Sequence, residues 1–163
     1  FLVSPLSLQL TNEHSGGRYS VENIFQASKV FERGGPFTDL LDAPPRQAKK
    51  DDRLHHSGQL IGYNDSGMEW NLEPLTMFYD WLYVNALKQN TQLHSEVMQY
   101  QAFTDITFNP KKSIHSAAYA LALFVALNKR DLLDNIEDPI AFYDLCEGFK
   151  VSNTEHLLQS GWF

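Results

Sequence analysis

YSVENIFQASKVFERGGP, residues 19–36, reads as a helix with its own start and stop signals. Ser20 suits an N-cap, because its hydroxyl can accept from a first-turn backbone N–H that has no intrahelical partner. Gly34-Gly35-Pro36 suits a terminator, since glycine tolerates the left-handed turn after a helix and proline cannot continue one. With about 100° per residue and Glu22 at zero, Gln26 falls at about 40°, Lys29 at about −20° and Arg33 at about 20°. Val21, Ile24, Phe25 and Phe31 lie on another side and would be buried. A stripe of long polar side chains has two readings. One is a solvated face with favourable neighbour spacing. The other is a pocket lining, with a carboxylate for acid–base work, an amide to orient, and an ammonium as nucleophile or electrostatic clamp. On such a helix Glu22 and Lys29 stand about 10 Å apart along the axis, too far to pair easily and well spaced to meet one ligand from both ends.

Before this run, Phe1–Leu10 is apolar with interspersed polar residues, and Pro5 limits it to an edge strand or two short ones. Asn12–Gly17 is a turn. After it, Arg46–Arg53 (RQAKKDDR) is a charged helix or loop, and Leu60–Tyr63 is a strand before the turn Asn64-Asp65-Ser66-Gly67. Pro74 fits as the first residue of a helix to Gln89, with Leu75, Phe78, Trp81 and Leu82 at helical spacing. Further helices are expected over Gln92–Tyr100, Ser113–Lys129 and from Asp138-Pro139 to Glu147, with a strand at Phe103–Phe108 stopped by Asn109-Pro110. The sum is an α+β fold, mostly helical with a few short strands, in a single domain over residues 1–163.

Composition narrows the function classes. Of 163 residues, 43% are hydrophobic and 20% charged, which supports a packed core and argues against disorder or a fibrous repeat. The longest apolar stretch, Ala117–Leu127, is far short of the roughly 18–20 residues of a membrane span, so no membrane partner is expected. No N-terminal basic region precedes an apolar run, so no signal peptide is expected. The chain begins at Phe1 rather than Met, and residues before Phe1 or in a loop before Tyr19 are expected to be missing. The lone Cys146 rules out an internal disulfide or a cysteine-based zinc finger and suits a reducing, cytoplasmic location. A net charge of −7 argues against non-specific coating of nucleic acid, but not against gripping one nucleotide through a local basic patch.

Other constellations are weaker. The six histidines form no HExxH, and His55-His56 would point apart on a helix, so no metal site is expected. No nucleophile elbow, dinucleotide-binding glycine run or P-loop is present. Trp70, Tyr79 and Trp81 are either core or, with one ring exposed, a stacking platform for a base. Asp105 is either a strand-end cap or an acceptor for a ribose or base edge. Lys111-Lys112 and the set Arg46, Lys49, Lys50 and Arg53 are the basic clusters able to meet phosphates.

The run SVENIFQASKVFE (20–32) resembles a signature of the NADAR family, the NAD- and ADP-ribose-associated proteins. GGPFTDLLD (34–42), SGQLIGY (57–63), EWNLEPLTMFYDWLYVNAL (69–87) and FTDITFNPKKSIHSAAYALALFVAL (103–127) resemble the branch found beside DNA ADP-ribosyltransferase toxins. The resemblance implies a NADAR-type α+β fold and an antitoxin that removes ADP-ribose from guanine in DNA. Its partners would be ADP-ribosylated DNA and a cognate toxin, adjacent or fused. Carried over by residue, Glu22, Gln26 and Lys29 fall on the active-site helix, and Trp70, Asp105, Phe108 and Asn109 on pocket-lining motifs. The chain departs from the pattern at His115-Ser116-Ala117-Ala118, where Asn-Cys-Gln-Ala is expected, so no ligand contact is carried over there.

The reaction so implied breaks an N-glycosidic bond between the guanine amino group and the anomeric carbon of ADP-ribose. It needs a proton on the leaving group and either an activated water or a covalent nucleophile. Glu22 is the acid–base candidate. Lys29 either attacks the anomeric carbon or stabilises charge without bonding. An ordinary lysine is neutral in only roughly one molecule in 2,500 at pH 7, so a nucleophilic Lys29 needs apolar burial or a cation such as Arg33 close by. Gln26, Arg33, Lys50, Trp70, Tyr79, Asp105, Phe108 and Asn109 are the expected substrate-binding set, with Lys49 and Arg53 further candidates for the pyrophosphate. No metal or cofactor is needed, ADP-ribose being substrate and product ligand. Two other readings stay open: an N-glycosidase of small metabolites, of the riboflavin-pathway type, and a non-catalytic module that binds ADP-ribose or the toxin.

Overall fold

The computed structural model describes residues 3–12, 15–74, 76–99 and 117–148. Strands β1 (Gln9–Thr11) and β2 (Arg18–Ser20) form an antiparallel hairpin that pairs Leu10 with Tyr19. Among the described residues, the strand expected across Phe1–Leu10 is confined to its end. Pro5 has no N–H to donate to a ladder, and the N–H groups of Ser7 and Leu8 turn back onto Ser4 O at 2.9 and 2.7 Å.

Helix α1 (Val21–Ala27) starts where expected: Ser20 Oγ accepts from the Asn23 N–H at 3.1 Å. It ends early. Ser28 bonds back to Ile24 O through both its N–H (3.0 Å) and its hydroxyl (2.7 Å), and Lys29–Phe31 become strand β3. A β-branched and an aromatic residue follow, and the sheet they join outweighs continued helix. The glycine pair then acts as a chain reversal. Gly35 has φ +89°, and a Cβ there would lie 2.2 Å from Lys29 O, so no other residue fits without displacing backbone.

Strand β4 (Leu60–Asp65) lies between β3 and β5 (Met68–Trp70), with Tyr63 opposite Lys29 on one side and Trp70 on the other. Ser66 and Gly67 both have positive φ, the mirror-image turn that matches strand twist in a tight hairpin. The charged segment between β3 and β4 folds as two single helical turns, α2 (Pro45–Ala48) and α3 (Arg53–His56).

Helix α4 (Met77–Gln89) starts three residues after Pro74, with Thr76 Oγ1 donating to Asp80 Oδ2 at 2.7 Å. Every residue from Met77 to Leu87 is buried, which makes α4 the central helix of the core. Around it pack α1, α5 (His94–Gln99), α6 (Ala117–Lys129) and the helical residues 139–148, α7, through Ile24, Val97, Phe124 and Phe142. Asp138 caps α7, its carboxylate accepting from the N–H groups of Ile140 and Ala141. The architecture is α+β. The expected strand at Phe103–Phe108 and the start of the helix expected from Ser113 lie outside the described residues.

A smaller apolar cluster, Ala27, Leu40 and Ala48, seats residues 37–48 on α1. Buried Asn23 fastens that seat, its amide donating to Leu40 O (2.7 Å) and Ala43 O (2.8 Å). Asn23→Ala removes both bonds, although Leu40 O keeps the Ala43 N–H at 3.4 Å, and should cost about 1–3 kcal/mol, read as a lower midpoint in denaturant at unchanged slope. An unchanged midpoint would mean that this seat contributes nothing to stability.

Candidate active site

All seven residues of α1 are buried, including Glu22 and Gln26. Burying a carboxylate is costly unless it is paired and hydrogen-bonded, so its partners define the site. Gln26 sits one turn on, and its Nε2 donates to Glu22 Oε1 at 2.7 Å. Glu22 Oε2 faces Lys49 Nζ at 3.6 Å. The helix N-terminus adds a favourable field, with Glu22 in the first turn. Gln26 Oε1 is buried with no hydrogen-bond partner among the described residues. An acceptor left so costs about 1–3 kcal/mol, and a ligand hydroxyl or N–H would remove that cost.

Lys29 reaches the same place from β3 rather than from a helix stripe. Its Nζ lies 4.9 Å from the centre of the Phe25 ring. That ring rests among Tyr63 (5.4 Å), Tyr79 (5.3 Å) and Phe78 (6.2 Å), so the ammonium sits on an apolar aromatic wall. Burial there pulls the Lys29 pKa down to about 8. Glu22 pulls it upward and Lys49 further down. No ion pair joins Lys29 to Glu22. The cationic neighbour expected to be Arg33 is therefore Lys49.

The helix-stripe reading is thus corrected. Glu22 and Gln26 share a face of α1, Lys29 arrives from the next strand, and Arg33 is exposed in the turn beyond β3. Lys50 is exposed too, while its neighbour Lys49, which the sequence grouped only with candidate phosphate ligands, contacts Glu22. The basic run alone cannot tell these two lysines apart. Arg53 bonds Asp39 (2.6 Å) and Asp51 (2.8 Å) and stacks on Phe37 (4.7 Å), so it clamps the loop instead of facing a ligand. Its guanidinium holds both carboxyls below their usual range.

The aromatic candidates are packed together. Trp70 is half-buried against Phe78 (5.3 Å) and Trp81 (5.2 Å). Tyr79 is 6% exposed, edge-on to Phe25 and beside Tyr83, so its ring is core. Tyr79→Ala should therefore lower stability by about 3–5 kcal/mol, as other large aromatic truncations do. Trp70→Ala should weaken ligand binding by about 1–3 kcal/mol if its ring stacks on a base. Thermal melts and calorimetry separate the two, and the assignment fails if Tyr79→Ala leaves the melt unchanged. Asp105, Phe108 and Asn109 lie outside the described residues.

The arrangement presents a buried carboxylate at Glu22, a partly neutral amine at Lys29 and a hydrogen-bond acceptor at Gln26. Among the described residues no three His, Cys, Asp or Glu side chains are placed to hold a metal ion. An open cavity of about 260 Å³ lies elsewhere, lined by Asp131, Asn135, Ile136 and Leu145 among others. No helix among the described residues is long and apolar enough to cross a membrane. A comparison with curated proteins gives no match. Residues 1–156 match the family model described as DarT1-associated NADAR antitoxin, which, with the α+β fold, makes the chain a member of that family.

Proposed function

We propose that the chain is an ADP-ribosyl glycohydrolase that removes ADP-ribose from guanine bases in DNA, and so reverses the modification made by its associated toxin. The observation that carries this reading is the buried Glu22, oriented by Gln26 and placed beside a lysine whose pKa is brought down to about 8. A binding module has no need of a depressed lysine next to a buried carboxylate, whereas acid–base and nucleophilic chemistry does.

At pKa 8, roughly one Lys29 in ten is neutral at pH 7, against roughly one in 2,500 for an ordinary lysine. The neutral amine attacks the anomeric carbon of ADP-ribose as the bond to the guanine amino nitrogen breaks. The attacking nitrogen sheds a proton, which Glu22 relays to the departing amino group, so no net proton is needed. The ribose ring then opens to a Schiff base on Lys29. Water hydrolyses it to free ADP-ribose and restores the amine. In the water variant of the same reaction, Glu22 activates water and Lys29 serves as a cationic clamp. Exposed Arg46 and Lys50 lie on the segment beside the site, where phosphates of the substrate can be met.

Three substrates test the reading side by side: an oligonucleotide carrying ADP-ribosyl guanine, free nucleotide N-glycosides, and ADP-ribose alone. Release of ADP-ribose from the oligonucleotide, with the small glycosides left intact, is expected. Turnover of small glycosides alone would assign the site to metabolite chemistry, and binding of ADP-ribose without any turnover would make it a binding module.

A further inference from the structure

Lys49 stands apart from the other site groups. Glu22, Gln26 and Lys29 are enclosed by α1 and β3, whereas the Lys49 side chain is 61% exposed and touches the buried carboxylate only with its tip. Its position is fixed from behind. Lys49 ends the single turn α2, whose Ala48 is fully buried against Ala27 and Leu40, and that segment is tied to α1 by Asn23. The backbone is therefore held and the long side chain is free to swing. At 3.6 Å the contact with Glu22 Oε2 is longer than a charge-assisted hydrogen bond, while Oε1 is gripped by Gln26 at 2.7 Å. One oxygen of Glu22 is thus held by a buried partner and the other by a removable one.

We propose that Lys49 is a movable counter-ion: it covers Glu22 Oε2 in the empty protein and passes to a phosphate oxygen of the ligand when the site fills, which releases that oxygen to the reacting centre. The inference rests on the glycohydrolase reading of the site. Its logic is electrostatic. An ammonium at Glu22 Oε2 occupies the one carboxylate oxygen that Gln26 leaves open, and its departure frees that oxygen to accept from the reacting group. Burial is the main cause of the lowered Lys29 pKa, Glu22 opposes it, and the Lys49 ammonium adds a smaller downward push.

The test is calorimetric titration of ADP-ribose, and separately of an unmodified oligonucleotide, into wild type, Lys49→Met, Lys49→Arg and the distant control Lys129→Met. Lys49→Met should weaken binding by about tenfold or more, the scale of one charge-assisted hydrogen bond, and Lys49→Arg should restore most of it. Loss confined to ADP-ribose assigns the phosphate to the ligand's diphosphate, and loss confined to the oligonucleotide assigns it to the DNA backbone. The movement itself is read by adding Glu22→Gln. If Lys49 must leave Glu22 to bind, Glu22→Gln tightens phosphate binding in the wild-type background and does so much less in Lys49→Met. Unchanged affinity of Lys49→Met for both ligands overturns the proposal, as does an equal effect of Glu22→Gln in both backgrounds. Either result leaves the glycohydrolase reading intact. A wild-type protein that binds neither ligand overturns this proposal too, while release of ADP-ribose from the modified oligonucleotide decides the glycohydrolase reading separately.

Discussion

Glu22→Gln is expected to reduce release of ADP-ribose from modified DNA by about 100-fold or more, while ADP-ribose binding persists or tightens. Gln is nearly isosteric, and its amide can still meet Gln26, so α1 should remain seated. What is lost is the ability to pass a proton in a place where, among the described residues, no other carboxylate contacts Gln26 or Lys49. The pattern matters as much as the size. A fall in kcat with retained affinity marks an interaction made in the transition state, whereas loss of affinity with kcat unchanged would mean that Glu22 only binds. Near-normal turnover removes Glu22 from the mechanism.

The second large effect concerns Lys29. Lys29→Arg keeps a cation on the Phe25 ring but supplies no neutral amine, since arginine stays protonated with a pKa above about 12. If Lys29 bonds to the anomeric carbon, this variant loses turnover, and borohydride added during wild-type turnover reduces the Schiff base to a stable ADP-ribosyl adduct on Lys29, seen as added mass on one peptide. The pH dependence carries the sign. The burial-lowered pKa means that the neutral amine grows as pH rises through about 8, so kcat/KM should climb to a plateau above that point. A clamp needs the ammonium, and its contribution would fall across the same window. A fully active Lys29→Arg, together with wild-type activity that declines as pH rises through about 8, would assign the attack to water activated by Glu22.

Local signals read well in this chain where local chemistry decides. The Ser20 cap, the helix ending at Gln89 and the turn at Ser66-Gly67 follow from single residues with one dominant preference. The stripe failed at Ser28, because a serine that bonds back to the preceding turn looks in sequence like an ordinary helical residue. Glu22, Gln26 and Lys29 nonetheless meet, since a strand leaving the end of a two-turn helix returns along the same side. Lys49 was legible only as one of several basic residues. What selects it is tertiary: Asn23 bonds two carbonyls some twenty residues away and thereby sets the end of α2 beside Glu22. Arg53 belongs to the same basic run, and its pairing with Asp39 is equally tertiary and unmarked in the sequence. Tyr79 carries no sequence mark that separates a buried ring from a stacking one, because α4 is apolar nearly all round.

The proposed chemistry of this site is cleavage of the bond between ADP-ribose and guanine. The most direct measurement is an intact-mass time course of a defined oligonucleotide carrying one ADP-ribosyl guanine, with protein in excess so that a single turnover is seen. The oligonucleotide is expected to return to its unmodified mass, with free ADP-ribose appearing at the same rate and Glu22→Gln slowing both together. An oligonucleotide that keeps its modification under wild-type protein, or that loses the guanine base along with it, would rule out this activity.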